Sequence, residues 1–190
     1  MLRDPERAQI ARLWARKLQQ DERKLPIAER HRNLEPASAE FISALAAGIG
    51  AKRLLEIGGS SGISTIALAA AARETGGRLT SIEIERERQT EARETLRRLE
   101  LDRHVEFILG DAAEVLPGRV EPFEFVLIDC EKVEYIRFFE MIPGAPDTVV
   151  VADNIVSHQL ADYVAHVRSR GGLESVTLPI GKGLEVTRMR

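Results

Sequence analysis

The stretch Leu54-Leu55-Glu56-Ile57-Gly58-Gly59-Ser60-Ser61-Gly62-Ile63-Ser64 decides how this chain folds. A short, mostly apolar run meets a glycine-rich turn, and the turn opens a helical pattern over 63–73. Glycines at such a handover let backbone approach a ligand closely, and the free N–H groups of the helix start favour a carboxylate or phosphate. In an open α/β sheet this turn falls at the carboxyl edge of the strands, where ligands bind.

Working outward, short apolar runs recur at 53–57, 78–84, 104–109, 123–128 and 147–152. Helical stretches separate them at 63–73, 85–100, 111–116, 132–142 and 157–170. That alternation means βαβ units, a parallel sheet and right-handed crossovers. The tail differs: 173–180 and 184–189 are strand-like and are joined by Gly181-Lys182-Gly183, which predicts a β-hairpin. The expected fold is α/β: a Rossmann-like, doubly wound, mostly parallel seven-stranded sheet with a C-terminal antiparallel hairpin.

Composition narrows the function classes. With 190 residues, 44% hydrophobic and 30% charged, the chain suits one globular domain spanning 1–190. A net charge of −3 argues against a protein dominated by nucleic-acid contacts. Cys130 is the single cysteine, so no internal disulfide forms. No apolar run approaches the roughly 18 residues of a membrane span, and Arg3, Asp4, Glu6 and Arg7 stand where a signal peptide needs apolar residues. These features predict a cytoplasmic protein with no membrane partner.

Residues 1–33 read as a helical extension. Asp4 is the expected N-cap, Pro5 fits the first helical position, Ile10, Leu13, Trp14 and Leu18 share a face, and Pro26 ends the helix. Residues 1–32 hold nine Lys/Arg against five Asp/Glu, whereas the remainder holds eighteen against twenty-five. This basic helix reads as an amphipathic cover for the body or a homodimer seam rather than as a nucleic-acid surface. A second helix follows Pro36 through Phe41, Ile42, Leu45 and Ala46 and stops near Gly48 and Gly50.

The glycine-rich turn discriminates between cofactors. Gly58, Gly59 and Gly62 have the wrong spacing for the dinucleotide pattern G-x-G-x-x-G. The turn shares features with that of short-chain dehydrogenases, but Tyr135 and Tyr163 are followed four residues on by Phe139 and Val167 instead of lysine. The pattern E-x-G-x-x-x-G, Glu56 to Gly62, does fit, and it resembles the first motif of S-adenosylmethionine-dependent methyltransferases. Glu83 ends the next strand, where an acidic side chain can accept bonds from both hydroxyls of a ribose. Gly110-Asp111-Ala112 follows the third strand; Asp111 is a helix N-cap by type and the adenine-contacting turn in the methyltransferase reading.

Two further strand ends carry the chemistry. Phe125–Ile128 leads into Asp129-Cys130-Glu131-Lys132, and Val149–Ala152 leads into Asp153-Asn154. Neighbouring parallel strands place their carboxyl ends side by side, so Asp129, Asp153 and Asn154 present oxygen ligands to one point. Oxygen-only ligation suits a hard divalent cation such as Mg²⁺. The four histidines, 31, 104, 158 and 166, and Cys130 form no coherent site, and His158 reads as a surface helix residue.

The whole set resembles the cation-dependent O-methyltransferases, the group containing catechol and caffeoyl-CoA O-methyltransferases. The matching segments are LLEIGGSSGIST (54–65), LTSIEIE (79–85), GDAAEVLP (110–117), FEFVLIDCEKVEY (123–135), VVVADN (149–154) and GLEVTRM (183–189). The resemblance implies a class I methyltransferase fold. It also implies that Leu34, Glu56, Gly58, Ser60, Gly62, Ser64, Glu83, Asp111, Ala112 and Asp129 surround S-adenosylmethionine. Asp129, Asp153 and Asn154 match the family's metal ligands and Lys132 its catalytic lysine. Cys130 and Glu131 depart from the family's usual Asp-Ala-Asp-Lys or Asp-His-Trp-Lys, and the region before residue 36 matches poorly.

The implied activity is O-methylation of a small acceptor, a vicinal-diol aromatic. A phenol has a pKa near ~10, so coordination to the cation must lower it, and Lys132, ~10.4 when free, must be depressed to accept the proton. Two other readings compete with it: methylation of a hydroxylated tRNA base, motivated by the basic N-terminus, and a non-catalytic nucleoside-binding module. The intact Asp129, Lys132, Asp153 and Asn154 set speaks against the latter.

Overall fold

The computed structural model describes residues 2–26, 29–156 and 160–190. Seven strands form one sheet in the order β3-β2-β1-β4-β5-β7-β6. They are β1 (Arg53–Ile57), β2 (Arg78–Glu83), β3 (Val105–Leu109), β4 (Phe125–Ile128), β5 (Val149–Ala152), β6 (Leu173–Leu178) and β7 (Leu184–Met189). The first five run parallel; β7 inserts antiparallel between β5 and β6. The expected doubly wound sheet and terminal hairpin are therefore both present.

Helices cover both faces: α1 (Asp4–Glu22), α2 (Pro36–Gly48), α3 (Ile63–Thr75), α4 (Arg86–Arg98), α5 (Ala112–Val115), α6 (Tyr135–Met141) and α7 (Ala161–Ser169). The two-residue side-chain period of a strand divides the core. Leu54, Phe125, Leu127, Val149 and Val151 face one apolar cluster, which includes Ile10, Leu13 and most of α3. Leu55, Ile57, Val126, Ile128, Val150 and Ala152 face the other, with Tyr135, Phe138 and Tyr163. Burial on both faces explains why β4 and β5 read as unbroken apolar runs rather than as alternating ones.

Some sequence-based boundaries shift. The structure starts α1 at Asp4 itself, with Arg3 as the cap residue whose N–H donates to Glu6 Oε2 at 2.7 Å. The helix ends at Glu22 rather than at Pro26, because Lys24 already takes a left-handed φ of 51°. The segment expected to be helical at 132–142 begins as a 3₁₀ turn, Lys132–Glu134, before α6. α1 is tied to the body by Glu6, 3% exposed, which pairs with Arg73 of α3, and by Arg7 to Glu40 and Arg16 to Glu91. Much of its basic charge is thus matched within the fold.

The register is what positions the site. Ile57 pairs with Ile82 on one side and Ile128 on the other, and Ile128 pairs with Ala152. The tips of four strands therefore stand level, and Gly58, Asp129 and Asp153, each just past its strand, form one row along the carboxyl edge with Glu83, the last residue of β2. The strand order reverses between β1 and β4, the switch point at which such sheets bind ligands.

Gly58 has φ 95°, and a Cβ there would lie 2.3 Å from the Asp129 carbonyl oxygen. Gly48, at the end of α2, would meet nothing within 4 Å. The same substitution therefore has opposite signs at the two positions. Gly48→Ala should stabilise the fold by about 0.5–1 kcal/mol, through the smaller entropy of the unfolded chain. Gly58→Ala should destabilise it by about 2 kcal/mol or more. Urea denaturation of the two variants measures both.

Candidate active site

Two cavities open on the row of strand tips and share Arg32, Asp129 and Cys130. The first, about 230 Å³, lies over the glycine-rich turn and α5. Gly58, Ser60, Glu83, Asp111, Ala112 and Asp129 line it, over an apolar floor of Ile57, Ile82 and Phe138. Six of the ten residues expected around a cofactor thus meet in one place. The other four, Leu34, Glu56, Gly62 and Ser64, do not line it. Leu34 is 1% exposed within the first core cluster. Gly62 caps α3 in a left-handed conformation against Ala92, and Ser64 is buried behind it.

Glu56 lies beneath the turn. It accepts hydrogen bonds from Thr65 Oγ1 at 2.7 Å and Ser81 Oγ at 2.5 Å, while its Oε1 is buried without a partner. Burial raises its pKa, opposed by the hydroxyls of Ser64, Ser81 and Thr65. A Cβ at Gly59 would lie 2.8 Å from Glu56 Oε2, so this carboxyl holds the turn from below. Glu83 holds it from the side: its Oε2 accepts the Ser60 N–H at 2.7 Å and its Oε1 the Glu85 N–H at 2.9 Å. Ser60 takes φ 46° to make that bond. Asp111 caps α5 through the Ala113 N–H at 2.8 Å, as its residue type predicts.

The level tips of β4 and β5 bring Asp129, Asp153, Asn154 and Lys132 together. Lys132 Nζ donates to Asp129 Oδ1 at 3.2 Å and to Tyr135 Oη at 2.6 Å. Tyr135 Oη in turn donates to the Asp153 carbonyl at 3.2 Å. Asn154, with φ 64°, aims its amide nitrogen at Asp129 Oδ1, 3.1 Å away, and at Asp153 Oδ2, 2.7 Å away. Asp153 Oδ1 is buried with no partner. Burial, reinforced by the Asp129 charge, pushes the Asp153 carboxyl up to about 7. The same two causes raise Tyr135 well above the ordinary phenol and push the Cys130 thiol up to about 12, so both stay protonated at neutral pH. Among the described residues no three His, Cys, Asp or Glu side chains converge; the oxygen cluster consists of two carboxylates and one amide.

The second cavity, about 300 Å³, adjoins this cluster and is walled by the segment 30–33, Lys17 of α1 and Lys182 of the β6–β7 turn. The segment 31–33 closes over the glycine-rich turn: Arg32 N–H donates to Ser60 Oγ at 3.3 Å, and Asn33 Nδ2 to Ser61 Oγ at 2.8 Å. His31 Nδ1 lies 2.9 Å from Ser61 Oγ, and burial with the Arg16 charge lowers its pKa. Arg32 pairs with Glu131 across the boundary between the cavities.

Sequence reasoning missed Tyr135, Arg32 and Lys182. For Tyr135 a signal existed, since it stands three residues after Lys132 and both fall on one helical face. For Arg32 and Lys182 no local signal exists, because segments remote in the chain carry them to the site. His158 lies outside the described residues.

Residues 7–158 match the sequence profile described as O-methyltransferase, and the chain belongs to that family. It is 32% identical over 130 residues to a catechol O-methyltransferase of Niastella koreensis, a match covering 65% of this chain and 58% of that protein. It is 36% identical over 121 residues to a catechol O-methyltransferase of Mycobacterium tuberculosis, covering 62% and 54%. The matched parts thus span little more than half of those relatives. In fold it is similar to the O-methyltransferase of Bacillus cereus, solved with SAH (TM-score 0.82, 23% identity, 100% and 93% of the two chains). It is also similar to TomG of Streptomyces achromogenes, solved with SAM (TM-score 0.81, 24% identity, 99% and 91%). The architecture is a class I methyltransferase fold, C-terminal antiparallel hairpin included.

The raised carboxyl of Glu56 has a consequence for stability. The folded state holds this proton more tightly than the unfolded chain, so the stabilisation it gives is complete below the unfolded value near 4.5 and is lost as pH rises through the folded pKa. Glu56→Gln removes that loss. In thermal unfolding from pH 4.5 upward, the melting temperature of the variant relative to the parent should rise with pH; a constant difference contradicts the buried, raised carboxyl.

Proposed function

We propose that this protein transfers a methyl group from S-adenosylmethionine to a hydroxyl of a small aromatic diol, with a divalent cation such as Mg²⁺ at the Asp129, Asp153 and Asn154 tips. The observation that carries the reading is the level register of β1, β2, β4 and β5, which sets a nucleoside-sized cavity and an oxygen-donor cluster side by side. We read residues 1–190 as one methyltransferase domain with 1–33 as its helical extension. No helix among the described residues is long and apolar enough to cross a membrane.

The residues suit both groups. Glu83 has a free lone pair on each oxygen for the two hydroxyls of a ribose, and the Asp111-Ala112 turn borders the adenine side. The Gly58 backbone lies against Asp129 with no room for a side chain, which keeps the tips of β1 and β4, and with them the two groups' sites, adjacent. Asp153 Oδ1 has no partner, and the Asn154 amide nitrogen stands between two carboxylates where a cation would draw the amide oxygen instead. A divalent cation held there would supply Lewis acidity, lowering the pKa of a coordinated hydroxyl.

The chain's own residues do the rest. Lys132 takes the acceptor proton at Nζ, held in position by Asp129 Oδ1 and Tyr135 Oη. Tyr135 keeps its own proton on the Asp153 carbonyl and so fixes the amine without competing for the acceptor's proton. Segment 31–33 excludes water from above the glycine-rich turn.

The test is transfer of labelled methyl to catechol with and without Mg²⁺. Lys132→Met should retain cofactor binding in calorimetry while turnover falls by about 10² or more. Asp153→Ala should lose activity and the response to Mg²⁺ together. Full-rate methylation by chelator-treated protein contradicts the cation's role.

A further inference from the structure

The second cavity has a charge balance that methyl transfer to a neutral diol does not require. The chain carries a net charge of −3, yet this cavity places five cationic side chains against two carboxylates, Asp21 and Asp129. Four of the cations have partners. Lys17 and Arg30 share Asp21 at 2.6 and 3.5 Å, Arg32 pairs with Glu131, and Lys132 pairs with Asp129 at 3.2 Å. The fifth is Lys182. It is half-buried, and among the described residues no carboxylate pairs with it.

Lys182 does not sit on a loose turn. The Gly183 N–H donates to the Ile180 carbonyl at 2.9 Å, and the Val156 N–H donates to the Lys182 carbonyl at 3.0 Å. Gly181, at φ 57°, packs so closely on the start of α2 that a Cβ would lie 2.6 Å from Ser38 Oγ and 2.7 Å from Glu35 Oε2. Lys182 shares the cavity wall with Lys17, Asp21 and Arg30 and with Asp129, Lys132 and Asn154 of the strand tips. A partly desolvated ammonium on a fixed turn costs free energy unless a counter-charge meets it. Asp21 is already shared by two cations.

We infer that the acceptor carries an anionic substituent, a carboxylate on the aromatic diol, which Lys182 binds with Lys17 and Arg30 at its side while the diol faces Asp129 and Asp153. The inference rests on the reading of this cavity as the acceptor site, and it makes Lys182 a specificity-determining residue.

Calorimetry in the presence of Mg²⁺ and S-adenosylhomocysteine tests it with three probes: catechol, 3,4-dihydroxybenzoate and 3,4-dihydroxybenzylamine. The acid should bind at least ~10-fold more tightly than catechol, and the amine more weakly than catechol. Lys182→Met should bring the acid-to-catechol ratio close to one, Lys182→Arg should keep it, and Lys182→Glu should reverse the order of acid and amine; circular dichroism checks that each variant folds. Equal affinity of the parent protein for acid and catechol, or a ratio unchanged in Lys182→Met, overturns the inference. If catechol is methylated with no preference for the acid, the inference alone fails. If no diol of any charge binds or is methylated, the proposed function fails with it.

Discussion

Four parallel strands ending at the same height are the constraint on which the rest of this structure depends. The hydrogen-bond ladder continues one residue past the strands: Gly58 N–H reaches the Ile82 carbonyl, Asp129 N–H the Ile57 carbonyl and Asp153 N–H the Ile128 carbonyl. Backbone pairing therefore fixes the first residue of each loop, and the side chains that matter are carried on those residues. A slip of one residue in any pair would turn a tip side chain to the opposite face and dissolve the cluster. The absent side chain at Gly58 is part of the same device, since it lets β1 and β4 remain adjacent beyond their last paired residues.

That arrangement concentrates polar groups where water is scarce. The Asp129 side chain, 6% exposed, lies beside buried Asp153, which is pushed up to about 7 and has one oxygen without a partner. The Asn154 amide holds the two carboxylates together by donating to both, and Tyr135 donates to the Asp153 backbone carbonyl. A folded core does not need such a cluster, because apolar side chains of similar volume would pack there without the desolvation cost. Strain points the same way: Ser60 and Asn154, both non-glycine residues with positive φ, lie at the two ends of the site.

Much of this was legible in the sequence. The alternation of apolar runs and helical stretches gave the parallel sheet, and Gly181-Lys182-Gly183 gave the hairpin, because both depend on local periodicity and turn chemistry. Asp129, Asp153 and Asn154 could be placed together because parallel neighbours share an edge. Glu56 was expected around the cofactor and lies beneath the turn instead. Strand alternation accounts for this: Leu55 and Ile57 face one core cluster, so Glu56 shares the side of Leu54, under α3. The end of α1 and the contributions of Arg32 and Lys182 were not legible. They are settled by tertiary packing between segments far apart in sequence, for which no spacing rule exists.

The central claim is that the level tips of β4 and β5 grip one divalent cation beside Lys132. A crystal structure with Mn²⁺, S-adenosylhomocysteine and a bound catechol, phased to show the metal's anomalous signal, tests it most directly. The account predicts one ion bound by carboxylate oxygens of Asp129 and Asp153 and by Asn154 Oδ1 at about 2.0–2.2 Å, with Lys132 Nζ within hydrogen-bond reach of a catechol oxygen. An ion bound elsewhere, or Lys132 turned away from the catechol, contradicts it.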